Sequence, residues 1–123
     1  MNQQNRNEPA ALVERYLALW NEPDEGVRRE GITSLWADDG VQFTRLREIR
    51  GYQALEERVR TAYEKFVKTE SFLFRLAGNV EAHHNAIMFT WEMVPVAGGE
   101  VASAGTIFFL LSDDGRIRHD YQF

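Results

Sequence analysis

The sequence predicts an α+β domain in which helices cover one face of a curved antiparallel sheet. Two changes of pattern along the chain predict it. Up to about residue 66 the apolar residues recur every three or four positions, as on a helix face, and after residue 72 they alternate, as on a strand. Clusters of Gly, Asp, Asn and Pro then cut the second half into strands of hairpin length. The resulting order is helix, helix, strand, helix and a four-stranded meander. Such a chain buries its apolar faces by laying the helices on one side of the sheet.

Taken in order, residues 1–8 read as a frayed polar tail and 9–123 as a single domain. Pro9 suits the first turn of a helix, and Leu12, Val13, Tyr16, Leu17, Leu19 and Trp20 form its apolar stripe. "NEPD" at 21–24 stops it. A second helix follows, with Val27, Ile32, Leu35 and Trp36 on one side and Arg28, Arg29 and Glu30 on the other. Gly31 inside it costs about 1 kcal/mol relative to alanine.

"ADDG" at 37–40 has the chemistry of a helix-to-strand turn. Carboxylates are unfavourable at a helix C-terminus, but aspartate bonds nearby backbone and glycine supplies positive φ. Asp38 and Asp39 are therefore read as turn residues and not as a catalytic pair. Residues 41–46 form a short strand, "TRLREIRG" at 44–51 a basic loop, and 52–66 a third helix with Leu55, Val59, Ala62, Tyr63 and Phe66 inward. Strands are expected at 72–76, running on to 82 past a bend at Gly78, then at 86–94, 101–111 and 116–123. The turns "HHN", "PVAGGE" and "SDDG" join them.

Composition narrows the function. A chain of 123 residues with 44% hydrophobic and 12% aromatic content can bury a core without staples. A net charge of −5 argues against a nucleic-acid surface, which needs clustered cations. The absence of cysteine removes disulfides, thiolate chemistry and Cys-type zinc sites, and fits a reducing cytoplasm. The start, "MNQQNRNEP", lacks the apolar core of a signal peptide, and no apolar run approaches the roughly 20 residues that span a bilayer. There is no phosphate loop, serine-nucleophile motif or zinc spacing, so no cofactor is expected. His83 and His84 are adjacent at a strand end and would point opposite ways, which does not suit a shared metal.

With "VERYLALWNEPD", "LWADDGVQF", "RGYQAL", "WEMV" and "DDGRI" at these separations, the chain over residues 9–123 resembles the nuclear-transport-factor-2-like superfamily, in particular its SnoaL-like proteins and ketosteroid isomerase. The resemblance implies a cone-shaped, cystatin-like α+β barrel with a pocket in the cone. It also implies several candidate roles. "ERY" matches the segment that presents an oxyanion-binding tyrosine, giving Tyr16. The general-base aspartate of ketosteroid isomerase falls on Thr44 and its second aspartate on Ile107, so that reaction is not expected here. SnoaL-like cyclases and limonene-type epoxide hydrolases are similar in ending on a strand with a pocket-facing acid, here Asp120.

By the same resemblance Arg118, Asp120 and Gln122 face the pocket, whose wall is Ile87, Phe89 and Trp91 from one strand and Gly105 and Ile107 from the next. Trp36 and Val59 close it from the helices, and Thr44 and Arg58 join Tyr16 and Asp120 as its few polar groups. The opposite set on the last strand, Ile117, His119, Tyr121 and Phe123, is the more apolar, and hydrophobicity alone would turn it to the core. The two readings agree if the outer face is itself covered in a homodimer. Arg45, Arg47 and Arg50 stand near the pocket mouth, where they could steer an anionic ligand. The functional expectation is a pocket for a small lipophilic molecule, isomerised, cyclised, dehydrated or hydrolysed with Asp120 as acid or base and Tyr16 as donor to a developing oxyanion. The alternative is a non-catalytic binding or dimerisation domain of the same fold, since a stripe of Ile, Phe and Trp also makes ordinary core. Nucleic acid and membrane are not expected partners.

Overall fold

The computed structural model describes residues 4–123, with side chains from Glu8 onward. Helices α1 (Gln4–Asn21) and α2 (Glu25–Leu35) lead into β1 (Trp36–Phe43) and the short β2 (Glu48–Arg50). Helix α3 (Gly51–Ala62) is extended by a π-helical segment (Tyr63–Thr69), and β3 (Phe72–His83), β4 (Ala86–Pro95), β5 (Ser103–Leu111) and β6 (Ile117–Gln122) complete the chain. The strands form one six-stranded sheet in the order β2-β1-β6-β5-β4-β3. The helices pack on its concave side around Val13, Tyr16, Trp36, Leu55, Val59 and Phe109, all fully or almost fully buried.

Of the tail expected over 1–8, residues 1–3 lie outside the described residues, and from Gln4 the chain is helical. Pro9 therefore stands inside α1, where its missing N–H removes one helical hydrogen bond. Asp24 caps α2 by accepting from the Val27 N–H at 2.9 Å. Asn21, at the end of α1, donates to the Phe74 carbonyl at 2.8 Å and accepts from its N–H at 2.9 Å. That single amide supplies the ladder bonds the edge strand β3 would otherwise lack, and so fastens the helix to the sheet.

Two expectations change here. The sheet is mixed, because β1 runs parallel to β6 while every other neighbour is antiparallel. Trp36 to Gly40 also belong to β1 and not to a helix end and turn. The strand takes five steps from Trp36 to Val41 while β6 takes two from Ile117 to His119, so Asp38 and Asp39 bulge out of the ladder into solvent. Gly40 closes the bulge. A Cβ there would lie 2.8 Å from the Trp36 ring and 2.9 Å from the Ala37 carbonyl. At Gly78, with φ of 80°, the β3–β4 register shifts and the strand bends, as expected, before running on to His83.

A second bulge governs β6. Leu110 pairs with His119 and Leu111 with Ile117, so Arg118 is the extra residue. Strict alternation put Ile117 on the outer face and Arg118 on the pocket side. The bulge reverses both: Ile117 is fully buried in the core, and Arg118 lies in solvent, donating to Asp39 at 3.0 Å.

Candidate functional site

Beyond the bulge, Asp120 and Gln122 point inward from β6. The parallel register sets Gln42 of β1 directly beside Asp120. Tyr16 comes down from α1 and Arg58 across from α3. The Tyr16 hydroxyl donates to Asp120 Oδ2 at 2.9 Å, and Gln42 Nε2 donates to the same oxygen at 3.0 Å. Gln122 Nε2 donates to Asp120 Oδ1 at 2.6 Å and to the Tyr16 oxygen at 3.1 Å. On the far side of Gln42, Arg58 Nε donates to its Oε1 at 2.7 Å. Asp120 and Gln42 are wholly buried and Tyr16 is 1% exposed.

The electrostatics follow from that geometry. Burial pushes the Asp120 carboxyl up to about 6, against the pull of its three donors and of Arg58. The Tyr16 phenol is pushed well above its ordinary range by burial first and by the Asp120 charge second, so it stays protonated. Burial holds the Arg58 guanidinium below the ordinary arginine range, and the charge of Arg47 presses the same way. A carboxyl that titrates near neutrality, bonded to a phenol that does not, can store and return a proton.

Beside this network lies a cavity of about 130 Å³. Its polar lining is Tyr16, Arg58 and Gln122, and its apolar walls include Trp20, Phe66, Phe74, Trp91 and Ile107. Phe66 comes from the π-helical segment, a backbone feature common near functional sites. Trp91 lies against Gly105, where a Cβ would sit 2.9 Å from the indole. The missing side chain lets the ring settle onto the sheet and leaves the space above it open.

The structure thus gathers Tyr16, Arg58, Trp91, Ile107 and Gln122 at the cavity and sends the other expected residues elsewhere. Trp36, Val59, Ile87 and Phe89 are packed core, with Phe89 edge-on to Tyr16 at 5.9 Å between ring centroids. Gly105 lies beneath Trp91 and does not itself line the space. Thr44 is in the β1–β2 loop, its hydroxyl accepting from the N–H groups of Leu46 and Arg47. Asp120 sits behind Tyr16 and Gln122 and does not line the cavity. On the other side of the sheet, Tyr121 stacks on Phe43 at 4.8 Å with His119 beside them, while Phe123 is 79% exposed beyond the strand end.

The sequence reading missed Gln42, which links the acid to the arginine. Between Val41 and Phe43 it has the look of an outward polar residue on an alternating strand. Leu17, Trp20, Ala62, Phe66 and Phe74 are cavity walls that read simply as core.

A curved sheet with helices across its concave face and a polar cluster at the end of a small cavity defines the class of α+β pocket proteins. More particularly, the chain belongs to the SnoaL-like domain family, whose model matches residues 13–119. It is similar to a proposed isomerase of the SnoaL-like family from Agrobacterium tumefaciens, with 28% identity, a TM-score of 0.85 and coverage of 95% of this chain and 97% of that one. A proposed polyketide cyclase from Sinorhizobium meliloti shares the fold at 17% identity and a TM-score of 0.67, over 92% of this chain and 94% of that one. So does a protein with a cystatin-like fold from Nostoc punctiforme, at 10% identity and 0.73 over 99% and 92%. No curated protein matches the chain significantly.

Proposed function

We propose that the chain binds a small, mainly apolar molecule in the cavity and catalyses a proton transfer on it. Tyr16 meets the ligand and Asp120 acts through Tyr16. The observation that carries this reading is the 2.9 Å hydrogen bond from a cavity-lining phenol to a buried carboxyl that titrates near 6. With Asp120 ionised, a proton leaving the ligand passes to the Tyr16 oxygen as the phenol proton passes to Asp120 Oδ2. With Asp120 protonated, its proton can turn toward Tyr16, whose own O–H is then free for a carbonyl oxygen gaining negative charge. The ligand would meet the Tyr16 oxygen beside Gln122 Nε2, the cavity-lining donor 3.1 Å from it. The relation to a proposed isomerase is consistent with such chemistry.

A non-catalytic binder of the same fold is the second reading. It is favoured by the position of Asp120, which is out of the cavity with both oxygens already bonded. A panel of one-ring and two-ring ketones in D₂O separates the two readings. Thermal shift identifies the compounds that bind, and proton NMR follows exchange of their α hydrogens. The enzyme reading expects exchange above the buffer rate, lost in Tyr16→Phe and reduced about a hundredfold or more in Asp120→Asn. Ligands that bind without exchanging any proton would leave a binding protein.

We also propose a homodimer through the outer sheet face. Phe43, Phe108, His119 and Tyr121 form a partly exposed aromatic group there, next to Met88 at 42% exposure. An apolar patch of this kind is a liability on a monomer.

A further inference from the structure

Apart from Arg58, the arginines whose side chains are described fall into three groups. Arg29, Arg50, Arg60, Arg75, Arg116 and Arg118 each pair with a carboxylate. Buried Arg28 donates to the Glu22 carbonyl and lies over the Tyr63 ring. Arg15, Arg45 and Arg47 are exposed. Arg58 fits none of these patterns. It is half-buried and lines the cavity, yet it has no carboxylate partner among the described residues. Its one hydrogen bond is from Nε to a neutral amide, and its guanidinium carbon stands 5.7 Å from the centre of the Trp20 ring. A guanidinium has five N–H groups, so both terminal nitrogens remain unused.

At this end of the cavity the two terminal nitrogens of Arg58 are donors without an acceptor among the described residues. The Asp120 carboxylate has three neutral donors of its own and attracts Arg58 across the Gln42 amide without a direct bond. Arg47 adds a second positive charge whose field reaches the Arg58 guanidinium. An arriving ligand that brings an anion would pair with Arg58 and relieve its repulsion from Arg47.

We infer that the cavity takes a one-ring or short-chain carboxylic acid, with its carboxylate on the terminal nitrogens of Arg58 and its apolar body against Trp20, Phe66, Phe74 and Trp91. This rests on the reading of the cavity as a ligand site. The volume sets the size, because a dry cavity of ~150 Å³ holds a benzene ring. The planar fork of arginine matches the two oxygens of a carboxylate. Arg58 is the one cation in the cavity lining, and its single fork suits a monoanionic carboxylate. An acid with a carbonyl next to the carboxylate would present that carbonyl toward Tyr16 and Gln122.

The test is calorimetric titration with matched pairs of probes: benzoate with benzamide, and phenylacetate with phenylacetamide. The expected result is at least tenfold tighter binding of each carboxylate, with the preference lost in Arg58→Gln and partly restored in Arg58→Lys. Amides that bind as well as the acids would overturn the anion assignment and leave the cavity as a ligand site. Failure of every probe to bind would overturn both. Unchanged carboxylate binding in Arg58→Gln would place the acids elsewhere on the protein and also reject the inference. The wild-type comparison decides even if the Arg58 variants fold poorly.

Discussion

Asp120 is a charge held where water cannot reach it, and its environment determines what it can do. Its carboxyl titrates near 6 in the fold, against roughly 3.9 for a free aspartate. The folded protein therefore binds the proton more tightly than the unfolded chain does. The stability this adds is complete below about pH 4 and is lost as pH rises through about 6, a change on the order of 3 kcal/mol. Urea unfolding from pH 4 to pH 7 should show the decline in the wild type and a flatter profile in Asp120→Asn. Equal slopes in the two proteins would mean that Asp120 is more solvated than its burial implies. Tyr16 contributes at the same scale in another way. Its ring packs edge-on to Phe109 at 4.9 Å between centroids, and that packing holds the hydroxyl in line with Asp120.

At the scale of elements, the site depends on strand register more than on helix faces. Helix α1 could be read from its stripe, and that stripe delivers Tyr16, Leu17 and Trp20 to the cavity whatever the details of its ends. The last strand could not be read so simply. Alternation from Ile117 predicts one set of inward residues, and the extra residue at Arg118 produces another, in which Ile117, Asp120 and Gln122 share a side. The Asn21 amide is an element-scale fastener, because it stands in for a strand neighbour at the β3 edge. Asn21→Ala should cost about 1–2 kcal/mol and speed amide exchange at Phe74 more than in the centre of the sheet. Unchanged exchange at Phe74 would show that water replaces the amide without loss.

For the whole molecule, the two faces of the sheet differ in what covers them. The concave face and its helices enclose the cavity. The convex face carries the stacked pair Phe43 and Tyr121, which come together only because β1 and β6 are neighbours. If that face is a dimer interface, sedimentation at micromolar concentration should give twice the chain mass of 14.2 kDa, and Tyr121→Asp should give a monomer with its helical signal intact. A wild-type monomer under those conditions would reject the interface. No described helix is long and apolar enough to cross a membrane.

The sequence by itself determined the class of fold, the two long helices and the strands of the meander, because periodicity and turn chemistry are local properties that neighbouring residues carry. It also pointed to Tyr16, Arg58, Trp91 and Gln122, through spacing and resemblance. Only the tertiary structure decided that Gln42 completes the buried network, that Asp120 stands behind the cavity and that Ile117 is core. Each of these depends on which strands lie side by side and where a bulge shifts their register. Such pairings join residues as far apart as Gln42 and Asp120, and no local pattern records them.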